Sequence, residues 1–386
     1  MASPQRLHAL TSLRFLAAAM ILFHHTRSLA GLDSGWAEAV PWDHGVSFFF
    51  VLSGFILAYV YPSLETMGDV ARFWVARFAR VWPVHACAAL VALVSIWEPQ
   101  TASDESAAAV VAHALLVHAW VPLRGIYFAL NPVSWSVSTE VFFYMLFPLL
   151  IPNWERTWAW KLGLSFALLA AVVAFGNVVQ VPPYSVGDDG VTTEALVYIH
   201  PFARLLEFTL GMASLLVWRR LTDWRVWTPA VATAAEVGVV ALTIAWVIGL
   251  PLLGISASIG GPTGAEWAAH AGSGIAFALL IPVLAVGRGA VSRALAVRPL
   301  VLLGEISYSL YLLHPLVLYL LVRGFPGALE GLGLAGAALL WLGVAVVAWL
   351  SWTCLEVPAR RVILEAWDGR VADSGPAEAA TRSTRA

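Results

Sequence analysis

Charge is scarce in this 386-residue chain: 12% of its residues are Asp, Glu, Lys or Arg, while 60% are hydrophobic. Soluble domains carry about 25% charged and about 45–50% apolar residues. Too little polar surface remains here for a soluble monomer. The net charge of −2 lacks the basic excess that nucleic acid binding requires, so no nucleic acid partner is expected. Cysteine is nearly missing as well. Cys87 and Cys354 both fall inside apolar runs, which excludes a disulfide framework and reads them as small core residues. No metal-ligand motif is present, so no metal is predicted. The first apolar run is not a convincing cleavable leader, because Arg14, His24 and His25 interrupt it and many similar runs follow.

Apolar sequence is what the chain has in abundance, with a mean hydropathy of +0.79. Candidate spans fall at about 10–30, 44–61, 81–97, 106–122, 134–151, 161–180, 195–217, 228–249, 271–287, 299–321 and 333–355. Each reaches or approaches the roughly 20 apolar residues that cross a bilayer as a helix. The fold predicted is all-α, a polytopic membrane helix bundle, with one transmembrane domain over 1–365 and a polar, disordered tail over 366–386. Trp36, Trp42, Trp97, Trp154, Trp218 and Trp227 lie near the ends of apolar runs and are read as interfacial anchors.

Arginine clusters test the number of crossings, since Arg-rich loops favour the cytoplasmic side. Arg72/Arg77/Arg80, Arg219/Arg220/Arg225, Arg288/Arg293/Arg298 and Arg360/Arg361 form such clusters, whereas loops 98–107, 178–195 and 250–270 hold no Lys or Arg. All clusters fall on one side if 106–122 enters the bilayer without crossing it. About ten spanning helices plus one re-entrant or interfacial segment are therefore predicted, with both termini cytoplasmic.

Ionisable residues inside apolar helices mark function by default, because burying them in hydrocarbon is costly. Arg14 and His25 are eleven residues apart, about three turns and 20°, so they share one helix face roughly 16 Å apart. His24 points about 80° away from Arg14. A lone Arg could instead snorkel to the cytoplasmic surface, a reading that the aligned pair disfavours. Ser53-Gly54 permits close helix contact. Arg77 and Arg80, at i and i+3, present forks suited to phosphate, or serve as topology determinants. Glu140 lies on an apolar helix with Ser136 on its face and Trp135 just before it. Arg204 and Glu207, at i and i+3, read as an intrahelical ion pair. Ser307, Tyr311 and His314 form one stripe beside Glu305, and Pro315 is expected to bend the helix or open it locally. Depth places Arg14, Glu305, Arg77 and Arg80 toward the cytoplasm, and His25, Glu140 and His314 toward the outer half.

With these blocks in hand, the chain resembles the acyltransferase-3 family of membrane acyltransferases. The resemblance runs from about Leu7 to Arg361. It rests on the first-helix block with Arg14 and His25, Gly45 to Ile56, Arg77-x-x-Arg80 with Pro83, Trp135-Ser136 through Glu140 to Phe143-Tyr144, Arg204 with Glu207, Gly304 to Pro315, and Glu356-x-Pro358 with Arg360. His85 departs from the family pattern and receives no role from it. The resemblance implies an enzyme that moves an acyl group, most often acetyl from acetyl-CoA, to a hydroxyl of a carbohydrate or glycosylated compound. No bound cofactor is implied; acyl-CoA is the co-substrate.

A sugar hydroxyl needs a general base at neutral pH, and histidine suits that task. His25 is the candidate base or, alternatively, a transient acyl carrier. Glu140 would orient His25 or bind the acceptor, and Arg14, Arg77 and Arg80 would hold the donor phosphates. The expected acceptor is a surface polysaccharide or lipid-linked glycan at the cytoplasmic (inner) membrane; a macrolide-like metabolite is the alternative. A transporter is the rival class, since intramembrane Arg, Glu and His also mark substrate pathways.

Overall fold

Backbone buried in hydrocarbon must satisfy its own N–H and C=O groups, and the apolar runs accordingly become helices. The computed structural model describes residues 7–383 apart from 30, 33–34, 36, 38–39, 96–103, 184–189, 225–226, 256–257, 326 and 328–332; side chains are described up to Arg370, except at 104–106 and 252. Among the described residues there is no strand. The helices are α1 (His8–Thr26), α2 (Gly45–Val60), α3 (Met67–Ser95), α4 (Asp104–Ala114), α5 (Arg124–Tyr127), α6 (Trp135–Leu150), α7 (Trp154–Val178) and α8 (Pro201–Asp223). They continue with α9 (Pro229–Leu252), α10 (Gly261–Ala271), α11 (Gly274–Ala285), α12 (Ala290–Leu295), α13 (Arg298–Glu305), α14 (Ser307–Gly324), α15 (Gly333–Ser351) and α16 (Val357–Ser383).

Among the described residues, eight helical segments are long and apolar enough to cross a bilayer, and α13 with α14, bent by 59°, makes a ninth. Helix α1 has 19 residues and owes its lower hydropathy to Arg14, His24 and His25. Helix α1 is not among those eight or nine segments, against the about ten expected. The 106–122 stretch instead holds the 11-residue α4 and a short 3-10 turn, His118–Trp120, neither long enough to span. Leu7, before α1, and Val357, at the start of α16, line the same cavity. The polar segment from about 366 continues helical in α16 to Ser383.

Three details differ from the sequence reading. Of the two effects expected at Pro315, the bend lies instead between Glu305 and Ser307, while α14 continues through Pro315 with the Tyr311 carbonyl released to His314. Cys87 and Cys354, expected in the core, are both exposed; the outer face of a membrane helix is itself apolar, so a thiol fits there as well. Trp154, expected at an interface, is buried and donates to the Met212 carbonyl at 3.2 Å. Trp36, Trp97 and Arg225 lie outside the described residues.

The centre of the bundle is the crossing of α2 and α8. A Cβ on Gly54 would run into the Phe208 carbonyl, and one on Gly211 into the Val51 carbonyl, so two glycines let the backbones touch. Phe143 stacks on Phe208 at 4.8 Å and meets Phe50 edge-on at 5.1 Å, which ties α6 to the same crossing. Gly54→Ala or Gly211→Ala is expected to cost about 1–3 kcal/mol of stability through overpacking, read as a lower Tm in detergent. Gly163→Ala, where an added Cβ meets nothing within 4 Å, is expected to melt like wild type. Equal melting of Gly54→Ala and Gly163→Ala would contradict the close crossing.

Candidate functional site

Three cavities lie in series along the bundle. The first is a vestibule of about 450 Å³, bordered by His8, Arg14, Arg77, Arg80, Glu305 and Arg360. The second, the Arg chamber, is about 130 Å³ and shares Arg14, Arg77 and Arg80 with the vestibule. The third, the His chamber, is about 520 Å³ and is bordered by His24, His25, Asp43, Glu194, Tyr198 and His270. The shared face of α1 thus runs from Arg14 in the first two cavities to His25 in the third, and neither residue is turned to lipid.

At the Arg end, Arg77 donates to the Tyr61 hydroxyl at 3.4 Å, and its guanidinium lies 5.6 Å from the Tyr61 ring and 5.9 Å from the Tyr144 ring. Its Nε is buried and has no hydrogen-bond partner. An orphaned, charged donor is costly unless a ligand completes it. Arg80 differs: it is ion-paired with buried Glu356, which also accepts from Ser309 Oγ at 2.9 Å. Arg14 and Arg77 are therefore the better anion ligands of the expected three. Ser53 donates to Glu140 Oε1 at 3.1 Å, and both line the Arg chamber with Ser136.

At the His end, local sequence dictates a hydrogen-bond relay. Proline has no N–H, so Pro315 leaves the carbonyl four residues earlier, that of Tyr311, without its helical donor. His314 Nδ1 lies 2.7 Å from that carbonyl, and since a carbonyl only accepts, Nδ1 carries the proton. In neutral His314 the lone pair is then on Nε2, which lies 2.9 Å from His25 Nδ1. His25 must donate there, and its own lone pair is on Nε2. The neighbours fix the tautomer that a base requires.

Glu140 is thus not the partner of His25. It sits in the Arg chamber, and the orienting contact comes from His314, fully buried behind His25. Tyr311 borders both chambers; its hydroxyl donates to the Val133 carbonyl at 2.9 Å and lies 2.7 Å from Ser136 Oγ. Trp135 faces the His chamber. Ser307 is buried and donates to the Gly304 carbonyl at 2.7 Å, which fits a structural role at the bend. Arg204 and Glu207 are buried and paired at 2.6 Å; Arg204 also donates to Ser47 and packs on Phe50, Trp135 and Tyr198, behind the chambers. His85 donates to the His113 carbonyl at 2.9 Å and stacks with His113 and His118, away from all three cavities.

Several lining residues escaped the sequence reading. His270 Nδ1 donates to Asp43 at 2.6 Å, and its Nε2 lies 3.3 Å from Glu266, so carboxylates flank both ring nitrogens. Arg124 pairs with Glu194 at 3.3 Å across the chamber mouth. Burial raises the Glu194 carboxyl above its usual range, against the pull of Arg124. His24 borders the chamber beside His25 despite its 80° offset, because the cavity is wide. One signal was available: Asp43 stands between Trp42 and His44 directly ahead of an apolar helix. Among the described residues no group of three or more His, Cys, Asp or Glu is arranged to hold a metal ion.

Known proteins bear out the resemblance. Over 383 residues the chain is 31% identical to Acyltransferase MdmB of Streptomyces mycarofaciens, covering 93% of this chain and 92% of that protein. It is 26% identical to Nodulation protein 10 of Rhizobium leguminosarum bv. viciae over 91% of this chain and 92% of the relative. It is 25% identical to O-acetyltransferase OatA of Staphylococcus aureus over 94% of this chain but 58% of that protein. No solved structure gives a significant match. The acyltransferase-3 family profile, described as an acyltransferase domain, matches residues 7–356, which sets aside the transporter reading. From the residue before α1 to the end of the last crossing, this chain belongs to the acyltransferase-3 family and is a membrane acyltransferase.

Proposed function

We propose that the protein carries an acyl group, acetyl by default, from acyl-CoA at the cytoplasmic face to a hydroxyl of a carbohydrate acceptor bound in the His chamber. The observation that carries this reading is the 2.9 Å contact of His314 Nε2 with His25 Nδ1 at the border of the His chamber, from which we infer an unprotonated His25 Nε2. The basic vestibule, with its orphaned Arg77 Nε, suits the donor phosphates. The Arg clusters near this end of the bundle favour its placement at the cytoplasm, with both termini there, in the bacterial inner membrane. Aromatic faces from Phe128, Trp135 and Tyr198, set among Asp43, Glu194 and Arg124, suit a ring bearing many hydroxyls. Surface polysaccharide or lipid-linked glycan is the acceptor class we favour.

In this reading His25 Nε2 takes the proton as the hydroxyl oxygen attacks the thioester carbonyl. The carbon–sulfur bond breaks, the thiolate leaves, and the imidazolium returns its proton to sulfur. In the relay variant His25 Nε2 attacks the thioester carbonyl first, the carbon–sulfur bond breaks and the thiolate leaves; the hydroxyl then attacks the acyl-imidazole, the carbon–nitrogen bond breaks, and the hydroxyl proton passes to the thiolate. Glu140 lies beside Ser53 on the donor side and stabilises the bound donor rather than His25.

Host membrane vesicles carrying the protein, supplied with radiolabelled acetyl-CoA, provide the assay. His25→Ala is expected to lose transfer by about 10²-fold or more; full retention contradicts both variants. Rapid quenching separates them, since only the relay leaves label on the protein. Arg77→Ala is expected to raise the KM for acetyl-CoA about tenfold with a smaller change in kcat; an unchanged KM removes Arg77 from the donor site. His314→Ala is expected to lower kcat by about tenfold or more at constant donor KM. His314→Gln, whose amide oxygen can accept from His25, is expected to retain more activity; equal loss in both contradicts the orienting role. Mass spectrometry of glycans from a deletion strain identifies the acceptor.

A further inference from the structure

A groove of about 880 Å³ lies on the outer face of the bundle between α3, α6 and α16, with the end of α4 at its inner limit. It exists because the 106–122 stretch turns back instead of crossing. Leu115 and Leu116 border the groove at that turn, and no further helix fills the space beside α3 and α6. Ser138 donates to the Leu116 carbonyl at 2.8 Å and Trp74 to the Tyr144 carbonyl at 3.0 Å, so these contacts frame the groove on α6. Its length is roughly 9 Å along α6 and roughly 12 Å along α3 from Trp82 to Trp74. One leaflet of the hydrocarbon core is about 15 Å deep. The geometry points to a binding site for one anionic phospholipid of the leaflet on the vestibule side, its acyl chain in the groove and its phosphate at Arg370. Such a site does not depend on the acyl-transfer reading.

The two ends of the groove differ in chemistry, as the two ends of a lipid do. The inner part is hydrocarbon: Phe78, Trp82, Leu115, Met145 and Val362 are all exposed along it. Phe78 stacks on Trp82 at 5.2 Å, and the Trp74 indole is fixed by its bond to Tyr144, so the aromatic wall is preformed. The outer end is made by α16, which Asp368 ties to Arg72 near the start of α3 at 3.2 Å. There Trp367 and Arg370, one turn apart, line the groove. An indole and a guanidinium together are typical of a helix at headgroup depth. The nearby carboxylates of α16 are committed elsewhere, Glu365 to Arg361 at 2.7 Å and Asp368 to Arg72. Guanidinium forks suit phosphate, and one basic residue at the surface favours an anionic lipid about fivefold. The groove shares Arg77 with the vestibule and borders none of the His chamber, so the bilayer rather than the acceptor supplies its occupant.

The test irradiates the purified full-length protein in detergent with phosphatidylglycerol carrying a diazirine in its acyl chain, and maps the adducts by peptide mass spectrometry. Adducts are expected to concentrate on peptides covering 74–82, 141–145 and 362–370. Unlabelled phosphatidylglycerol is expected to compete about fivefold better than phosphatidylcholine. Arg370→Gln is expected to remove that preference while the groove is still labelled. Met145→Trp, which fills the groove from an exposed position, is expected to cut its labelling, whereas Leu164→Trp, exposed on α7, is expected to match wild type. Adducts spread evenly over outward faces such as those of α7 and α9 would mark ordinary boundary lipid and overturn the site. Equal competition by the two lipids in wild type, or an unchanged preference in Arg370→Gln, overturns the placement of an anionic headgroup at Arg370. A dimer in native mass spectrometry with the groove peptides unlabelled gives the groove to a second copy of the chain and overturns the lipid.

Discussion

A missing N–H organises the candidate site. Pro315 cannot donate to the Tyr311 carbonyl, and that carbonyl is instead met by His314 Nδ1 at 2.7 Å. With both rings neutral, this contact implies that His314 Nε2 accepts, His25 Nδ1 donates, and His25 keeps its lone pair on Nε2. A helix-breaking residue in the middle of a membrane helix thus serves not to bend it but to free one acceptor. Tyr311, whose backbone anchors this hydrogen-bonded pair, also borders both chambers with its side chain.

Charge in this bundle sorts into two uses. Arg14, Arg77 and Glu140 lie along the cavities, where water or a ligand can solvate them. Arg204 with Glu207, and Glu236, lie in protein instead. Glu236 accepts from the backbone N–H groups of Gly289, Val291 and Ser292 and from the Ser292 hydroxyl at 2.6 Å, and so fixes the start of α12. Lys161, the one lysine in the chain, donates to the Leu150 and Pro152 carbonyls at the end of α6, both at 2.8 Å. Ionisable residues of the second kind pair within the protein and hold helices together, whereas Arg77 of the first kind leaves a buried Nε without a hydrogen-bond partner.

Much of this was legible in the sequence because helical periodicity is a local property. The alignment of Arg14 with His25, the pairing of Arg204 with Glu207 and the failure of 106–122 to span all follow from spacing, length and the distribution of Arg. Lateral neighbours do not. Depth alone grouped His25, Glu140 and His314, but α6 turns Glu140 toward Ser53 in the Arg chamber, leaving His314 as the partner of His25. A bend or local opening at Pro315 could be read because its lost N–H is a local fact, whereas the side chain that takes up the freed carbonyl is seen only in three dimensions. Asp43, Glu194 and His270 come from segments ahead of or between the predicted spans, and nothing in their spacing brings them to one cavity.

The tautomer of His25 is the most direct test of this account. ¹⁵N NMR of protein labelled at the imidazole nitrogens, with His25→Asn and His314→Asn spectra to assign the signals, reports which nitrogen of each ring is protonated. The expected result at neutral pH is His25 protonated at Nδ1 with Nε2 bare, together with His314 protonated at Nδ1. A His25 ring protonated at Nε2 and bare at Nδ1 would contradict it, because the lone pair would then face His314 rather than the chamber.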